Sequence, residues 1–207
     1  MTDLDAQVRA ADTDRWLASR FVSDVQARAD LIALYAFEAE LTAIPTRVSQ
    51  SLLAEMRYAW WREQMDGVLA GTPRKGHPVL EALAGAVARR GLERAPLDAL
   101  IEAHVDRAHG RPHDLEALFV GPTQAAVRVL AGPGHDEAVA PAARARGLTQ
   151  TGRFEEAAAL RREANAALKA LPVQAFPAVS AAALRWPDEP DAAKRLRLTW
   201  ANLRGRI

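Results

Sequence analysis

Glycine and proline cut this sequence into pieces of helical length, and nothing between the cuts alternates as a half-buried strand would. Alanine, leucine, arginine and glutamate dominate the pieces, and β-branched residues never cluster. Those are helix formers. A chain of this kind buries its apolar surface by packing helix on helix. We therefore expect an all-α helical bundle. No linker is long or flexible enough to separate two units, so residues 1–207 are taken as a single domain.

The punctuation sets the expected elements. A strong helix follows Ser23, with Ser23 and Gln26 spaced as a capping box. Leu31, Leu34, Tyr35, Phe37, Leu41 and Ile44 give it one wide apolar face, and Pro45 ends or kinks it at Ile44. A second helix runs from about Ser49 or Ser51 to Leu69, and a third from Pro78 to Arg90, closed by Gly91. A fourth follows Pro96 and stops before Gly110. A fifth spans Asp114 to Leu130, broken near Gly121-Pro122, and a sixth spans Asp136 to Arg146. Thr151 to Leu171 is amphipathic along Phe154, Ala157, Leu160, Ala164, Leu168 and Leu171. One or two short helices finish the chain around Pro187 and Pro190.

Composition narrows the function classes. The sequence has no cysteine, which removes disulfides, thiolate zinc sites and cysteine nucleophiles. Lys+Arg number 27 and Asp+Glu 26, so no net charge pulls the chain toward nucleic acid, and we expect no nucleic-acid partner. The densest basic stretch, Lys194 to Arg206, reads as a solvated helix face. No apolar run reaches the ~20 residues of a spanning helix, and the start Met1-Thr2-Asp3-Leu4-Asp5 is acidic rather than signal-like. A cytoplasmic protein is expected, with peripheral contact at an inner membrane allowed.

The informative stretch is Ala33 to Gly71. Two adjacent tryptophans flanked by arginines sit on one helix, Glu55-Met56-Arg57-Tyr58-Ala59-Trp60-Trp61-Arg62. The rows Leu52–Met56–Trp60 and Trp61–Met65–Val68 are expected to bury both rings. Arg57 falls at the edge of that face, where a guanidinium needs a carboxylate, and Glu38 or Glu40 on the preceding helix is the expected partner. Tyr35, Glu38, Glu40, Arg57, Trp61 and Arg62 are thus the candidate pocket or ion-pair residues. Their plain reading is a structural ion pair beside a tryptophan core.

Leu34-Tyr35-Ala36-Phe37, the Glu-x-Arg-x-x-Trp-Trp-Arg helix from Glu55 to Arg62, His77-Pro78-Val79 and Pro96 to Ile101 together resemble the squalene/phytoene synthase family of head-to-head prenyltransferases. The good match spans about Asp14 to Asp106. The resemblance implies an isoprenoid-synthase helical bundle, shortened in its later half. It also implies a site built from two aspartate-rich motifs, and both are missing. At the first, the chain reads Thr42-Ala43-Ile44-Pro45-Thr46, so Thr42, Ala43 and Thr46 stand in the aspartate positions. At the second, after Gly147, it reads Leu148-Thr149-Gln150-Thr151-Gly152-Arg153. Ionising an allylic diphosphate requires magnesium ions that bridge carboxylates to the leaving group, and threonine, alanine and proline cannot hold them.

Tyr35-Ala36-Phe37-Glu38-Ala39-Glu40 instead resembles a divergent branch of the family, similar to the mitochondrial complex I assembly factor with a phytoene-synthase-like domain. Val48-Ser49 ahead of the tryptophan helix fits that branch too. The resemblance implies a binding, scaffold or assembly-type accessory protein without prenyl transfer. Its expected partner is an unidentified protein or an apolar lipid or isoprenoid ligand, and no cofactor or catalytic residue is expected. Two alternatives stand beside it. One is an active prenyl-diphosphate transferase with magnesium relocated to Glu38, Glu40, Glu102 or Asp106. The other is a plain helical interaction domain. His109 and His113, with Gly110 and Pro112 between them, do not make a helical metal pair. Gly152 to Ala157 looks like part of a tetratricopeptide repeat, but no neighbour repeats it.

Overall fold

The computed structural model describes residues 3–48 and 50–207 and contains eleven α-helices, with no strand among the described residues. Met1, Thr2 and Ser49 lie outside them. Two helices precede the first one expected from the sequence: α1 (Leu4–Ala11) and α2 (Thr13–Ser19). Then come α3 (Val25–Arg47), α4 (Ser51–Leu69), α5 (Pro78–Arg90) and α6 (Arg94–Ala108). A π-helical turn (Glu116–Val120) leads into α7 (Gly121–Ala131), which realises the break expected near Gly121. α8 (Asp136–Gln150) and α9 (Phe154–Ala167) form a helical hairpin. Short turns and α10 (Phe176–Val179) lead to α11 (Asp191–Arg204).

α3 is the axis of the bundle. It packs against α1, α4, α5, α6 and α7. Leu31 to Phe37 are buried without interruption, so this helix is enclosed all round rather than on one wide face. Its N-cap is Asp24, whose Oδ1 accepts from the Ala27 amide at 2.6 Å. That displaces the expected Ser23–Gln26 box by one residue, and the Gln26 amide instead donates to Asp30 at 3.0 Å. Asp30 is itself buried and receives Arg89 (2.6 Å) and Arg90 (2.7 Å) from α5. This pairing clamps the start of α3 to the end of α5. There Gly91 takes the left-handed conformation that closes the helix, with φ 60°.

Pro45 neither ends nor breaks α3, which continues to Arg47. A proline at that position has no amide hydrogen to give the Leu41 carbonyl one turn earlier. The gap is filled from α4: the buried Tyr58 hydroxyl donates to the Leu41 carbonyl at 3.3 Å. A buried carbonyl left unpaired would cost about 1–3 kcal/mol. Tyr58 removes that cost and lets the helix run through.

α4 starts at Ser51, but its buried face differs from the expected one. The inward stripe is Ala54, Tyr58, Trp61, Met65 and Val68. Trp61 meets Phe37 edge-on at 5.3 Å. Trp60 is half-buried, and Leu52 and Met56, expected in the core with it, are exposed. The stripe i, i+4, i+7, i+11, i+14 from Ala54 leaves them on the other side of the helix.

The remaining boundaries shift by a turn or less. α6 begins at Arg94, two residues before Pro96, and α8 runs four residues past Arg146 to Gln150. α9 accordingly starts at Phe154 rather than Thr151. Phe154 is largely exposed, so the stripe that packs inward begins at Ala157. Gly147 in α8 lies under the Phe119 ring of the π-helical turn, and a Cβ there would meet the ring at 2.7 Å. Arg161 of α9 donates to the Ala182 carbonyl (2.7 Å) and to the Leu184 carbonyl, which ties the hairpin to the C-terminal turns.

Replacing Tyr58 with Phe should lower stability by about 1–2 kcal/mol in urea denaturation. The same change in a Pro45→Ala background, where residue 45 regains its amide hydrogen, should cost clearly less. Equal costs in the two backgrounds would show that the hydroxyl does not serve the Leu41 carbonyl.

Candidate functional site

A polar cleft of about 410 Å³ opens between the α1–α2 corner, the middle of α3 and the end of α8. Its position follows from local chain chemistry. Asp12 separates α1 from α2 and caps α2 by accepting from the Arg15 amide at 2.9 Å. One turn into α2, the Arg15 side chain therefore points back over α3. Across the cleft α8 supplies Arg146, and its end brings Gln150 and Thr151 to the wall. Thr42 of α3 lines the opposite side. The stretches at which the sequence reading placed both missing aspartate motifs thus converge on this one cleft.

A chain of ion pairs fills it. Arg15 donates from Nε to Asp12 (2.7 Å) and from Nη1 to Glu38 Oε2 (2.6 Å), and its Nη2 is ion-paired with Glu38 Oε1 at 2.6 Å. Its guanidinium lies over the Tyr35 ring, 4.6 Å from the centroid. Arg146 donates to Asp12 at 2.6 Å. At the rim, Lys194 of α11 stands 3.0 Å from Asp14, an ion pair outside hydrogen-bond geometry. Arg107 and His113 also line the cleft.

The network sets the charge states. Burial pushes the Asp12 carboxyl up, but Arg146 and Arg15 outweigh it and hold Asp12 well below the usual carboxylate range. Burial opposes the Arg15 charge, and Glu38 and Asp12 more than restore it, so Arg15 stays a cation throughout. Burial raises the Tyr35 hydroxyl to about 12, against the pull of Arg15 and Arg146. Asp14 is raised by burial, with Asp12 beside it adding to the effect. His104 of α6 is buried with both ring nitrogens unpartnered among the described residues, and burial depresses it to about 4.

The six residues singled out in the sequence separate. Tyr35 and Glu38 stand together in the cleft. Glu40 lies outside it and is held by Arg47 (2.7 Å) and by the Gln7 amide (2.5 Å). Trp61 belongs to the core. Arg62 pairs with Glu102 through two hydrogen bonds and so ties α4 to α6. Arg57 is a correction: it is exposed, and among the described residues no carboxylate pairs with it. The expected partners are taken, Glu38 by Arg15 and Glu40 by Arg47. Sequence reasoning missed Asp12, Arg15 and Arg146. An aspartate three residues before Arg15 is a helix-cap signal that the sequence did carry. Nothing local announces Arg146, which reaches Asp12 across 134 positions.

Magnesium does not fit the residues present. Thr42 is at the wall, Ala43 offers no ligand, and the Thr46 hydroxyl donates to the Ala43 carbonyl at 2.9 Å. Both oxygens of Glu38 face Arg15. Glu38, Glu40, Glu102 and Asp106 are each paired with a different arginine: Arg15, Arg47, Arg62 and Arg111. Among the described residues no three His, Asp or Glu side chains come close enough to share an ion.

Arg15→Met leaves Asp12 short of one partner and Glu38 unpaired, and should cost about 3–5 kcal/mol in chemical denaturation. A cost below 1 kcal/mol would show that the network contributes no structure. A second test concerns pH. The folded His104 pKa lies below its unfolded value of 6.5. As pH falls from 6.5 toward 4, the unfolded chain takes up a proton that the folded chain refuses, so stability drops across that window and then levels. At pH 4.5 His104→Leu should have escaped about 2–3 kcal/mol of the loss that the parent suffers relative to pH 7. An equal loss in both proteins would contradict a buried neutral imidazole.

A comparison with curated proteins finds no match. The family model for squalene/phytoene synthase matches residues 8–120, from α1 through the π-helical turn, which is just over half of the chain and includes the α2 and α3 walls of the cleft. With its all-helical bundle and the Leu34 to Arg62 constellation in that matched region, the chain belongs to the squalene/phytoene synthase family.

Proposed function

We propose that this chain keeps the family's helical fold as a binding or assembly-type module and does not transfer prenyl groups. The observation that carries the reading is the occupant of the cleft. Both aspartate-motif positions face it through Thr42, Gln150 and Thr151, and its interior carboxylates Asp12 and Glu38 are bound by Arg15 and Arg146. The guanidiniums neutralise those carboxylates where metal ions would otherwise do so. A guanidinium has no vacant coordination position for a diphosphate oxygen. It also cannot leave the cleft without abandoning two half-buried carboxylates.

The resemblance of Tyr35-Ala36-Phe37-Glu38 to the divergent assembly-factor branch supports the reading. Of that run, Tyr35 and Glu38 are the residues that hold Arg15, by ring stacking and by a hydrogen-bonded ion pair. That run therefore has a physical task in this cleft: it receives an arginine. The relocated-metal alternative is disfavoured because each of its four carboxylates already has its own arginine.

Purified protein incubated with farnesyl or geranylgeranyl diphosphate and magnesium should release no inorganic diphosphate and form no squalene- or phytoene-type product. Product formation abolished by Glu38→Gln would overturn this reading in favour of an enzyme.

A further inference from the structure

α11 carries two apolar faces, and only one is used by the fold. Leu198 and Ala201 face inward and are buried. Leu196, Trp200 and Leu203 recur at i, i+4 and i+7 on the opposite side and are 71%, 57% and 75% exposed. In a helix built only to cover a core, that outer face would be polar. Arginines flank the stripe. Arg195 lies on one side and Arg204 on the other, with the Arg204 guanidinium 4.4 Å from the Trp200 ring centroid. Arg206 follows directly.

The charge on this face is not spent inside the protein. Lys194 and Arg197, on the inward side of α11, pair with Asp14 and Glu189. Among the described residues Arg195, Arg204 and Arg206 pair with no carboxylate. At its end the stripe runs into a recess of about 480 Å³ that Leu203, Arg204 and Arg206 share with Lys169 and the highly exposed Val173. An apolar row with an indole, bordered on both sides by unpaired cations, matches the cross-section of a lipid interface. Apolar side chains enter the acyl boundary, and arginines remain at the level of the phosphates.

We infer that the outer face of α11 docks the protein in the surface plane of an anionic phospholipid bilayer. The partner is identified by its chemistry: fixed negative charge for Arg195, Arg204 and Arg206, and an apolar layer for Leu196, Trp200 and Leu203. Among the described residues no helix is long and apolar enough to cross a membrane, and the contact inferred here is one with the membrane surface. The inference does not depend on whether the cleft, which α11 meets through Lys194 on its inward side, is catalytic.

Co-sedimentation of the full chain with vesicles of phosphatidylcholine and phosphatidylglycerol in equal parts tests it. Binding is expected on these vesicles, weakened by salt and nearly absent on phosphatidylcholine alone. Arg195→Gln, Arg204→Gln and Arg206→Gln together should weaken it about 100-fold, at roughly fivefold per arginine. Leu196→Glu with Leu203→Glu should abolish it while helix content and the unfolding midpoint hold. Three results would overturn the inference: no binding to phosphatidylglycerol vesicles, binding unchanged in both variants, or a parent dimer that the two leucine substitutions split, which would assign the face to a second copy.

Discussion

One guanidinium organises this molecule's candidate site. Arg15 is held on three sides, by Asp12 from its own helix cap and by Glu38 and Tyr35 from α3. The two carboxylates would be unfavourable there without it. Two carboxylates facing one another across a cleft repel, and a buried arginine without them would carry an unmatched charge. Together they form a closed set, extended to α8 by Arg146. The α1–α2 corner, the central helix and the α8–α9 hairpin are thereby fastened at a single point, although they lie far apart in sequence.

That arrangement bears on how an acidic cleft in this family's fold can be neutralised from within. A cleft lined by acidic residues needs cations. In a magnesium-dependent synthase the cations arrive with the substrate, so the empty site must tolerate its own repulsion. Here the cations are covalently part of the chain, and the cleft is neutralised permanently. Stability of the resting protein and readiness to bind a metal–diphosphate complex thus pull in opposite directions. The ion-pair network lies on the side of stability.

Most of the architecture was legible from glycine, proline and apolar spacing. α5 and the C-terminus of α4 fall on the expected residues, because Gly91, Gly71 and Pro73 leave the backbone no alternative. The errors have identifiable physical sources. Pro45 signalled a helix end, but the Tyr58 hydroxyl supplied the donor that the proline lacks, a tertiary rescue invisible to local rules. Leu52, Met56 and Trp60 make a plausible apolar row in the sequence, yet the packed face of the tryptophan helix is Ala54, Tyr58 and Trp61. In the site, Tyr35 and Glu38 stand among the residues the sequence singles out, Glu38 as an expected carboxylate partner for an arginine. Their true partner is not among them, because Arg15 sits on a short helix with a weak apolar signal, and Glu38 could equally have met Arg57.

The central claim is that fixed arginines, rather than metal ions, neutralise the cleft carboxylates. Its most direct test is the thermal unfolding midpoint of the protein with a non-reactive farnesyl thiodiphosphate, measured with and without magnesium. Ligand that binds only the folded state raises the midpoint. The account predicts no magnesium-dependent shift, because Asp12 and Glu38 are already engaged. A rise of several degrees that requires magnesium and vanishes in Glu38→Gln would contradict it.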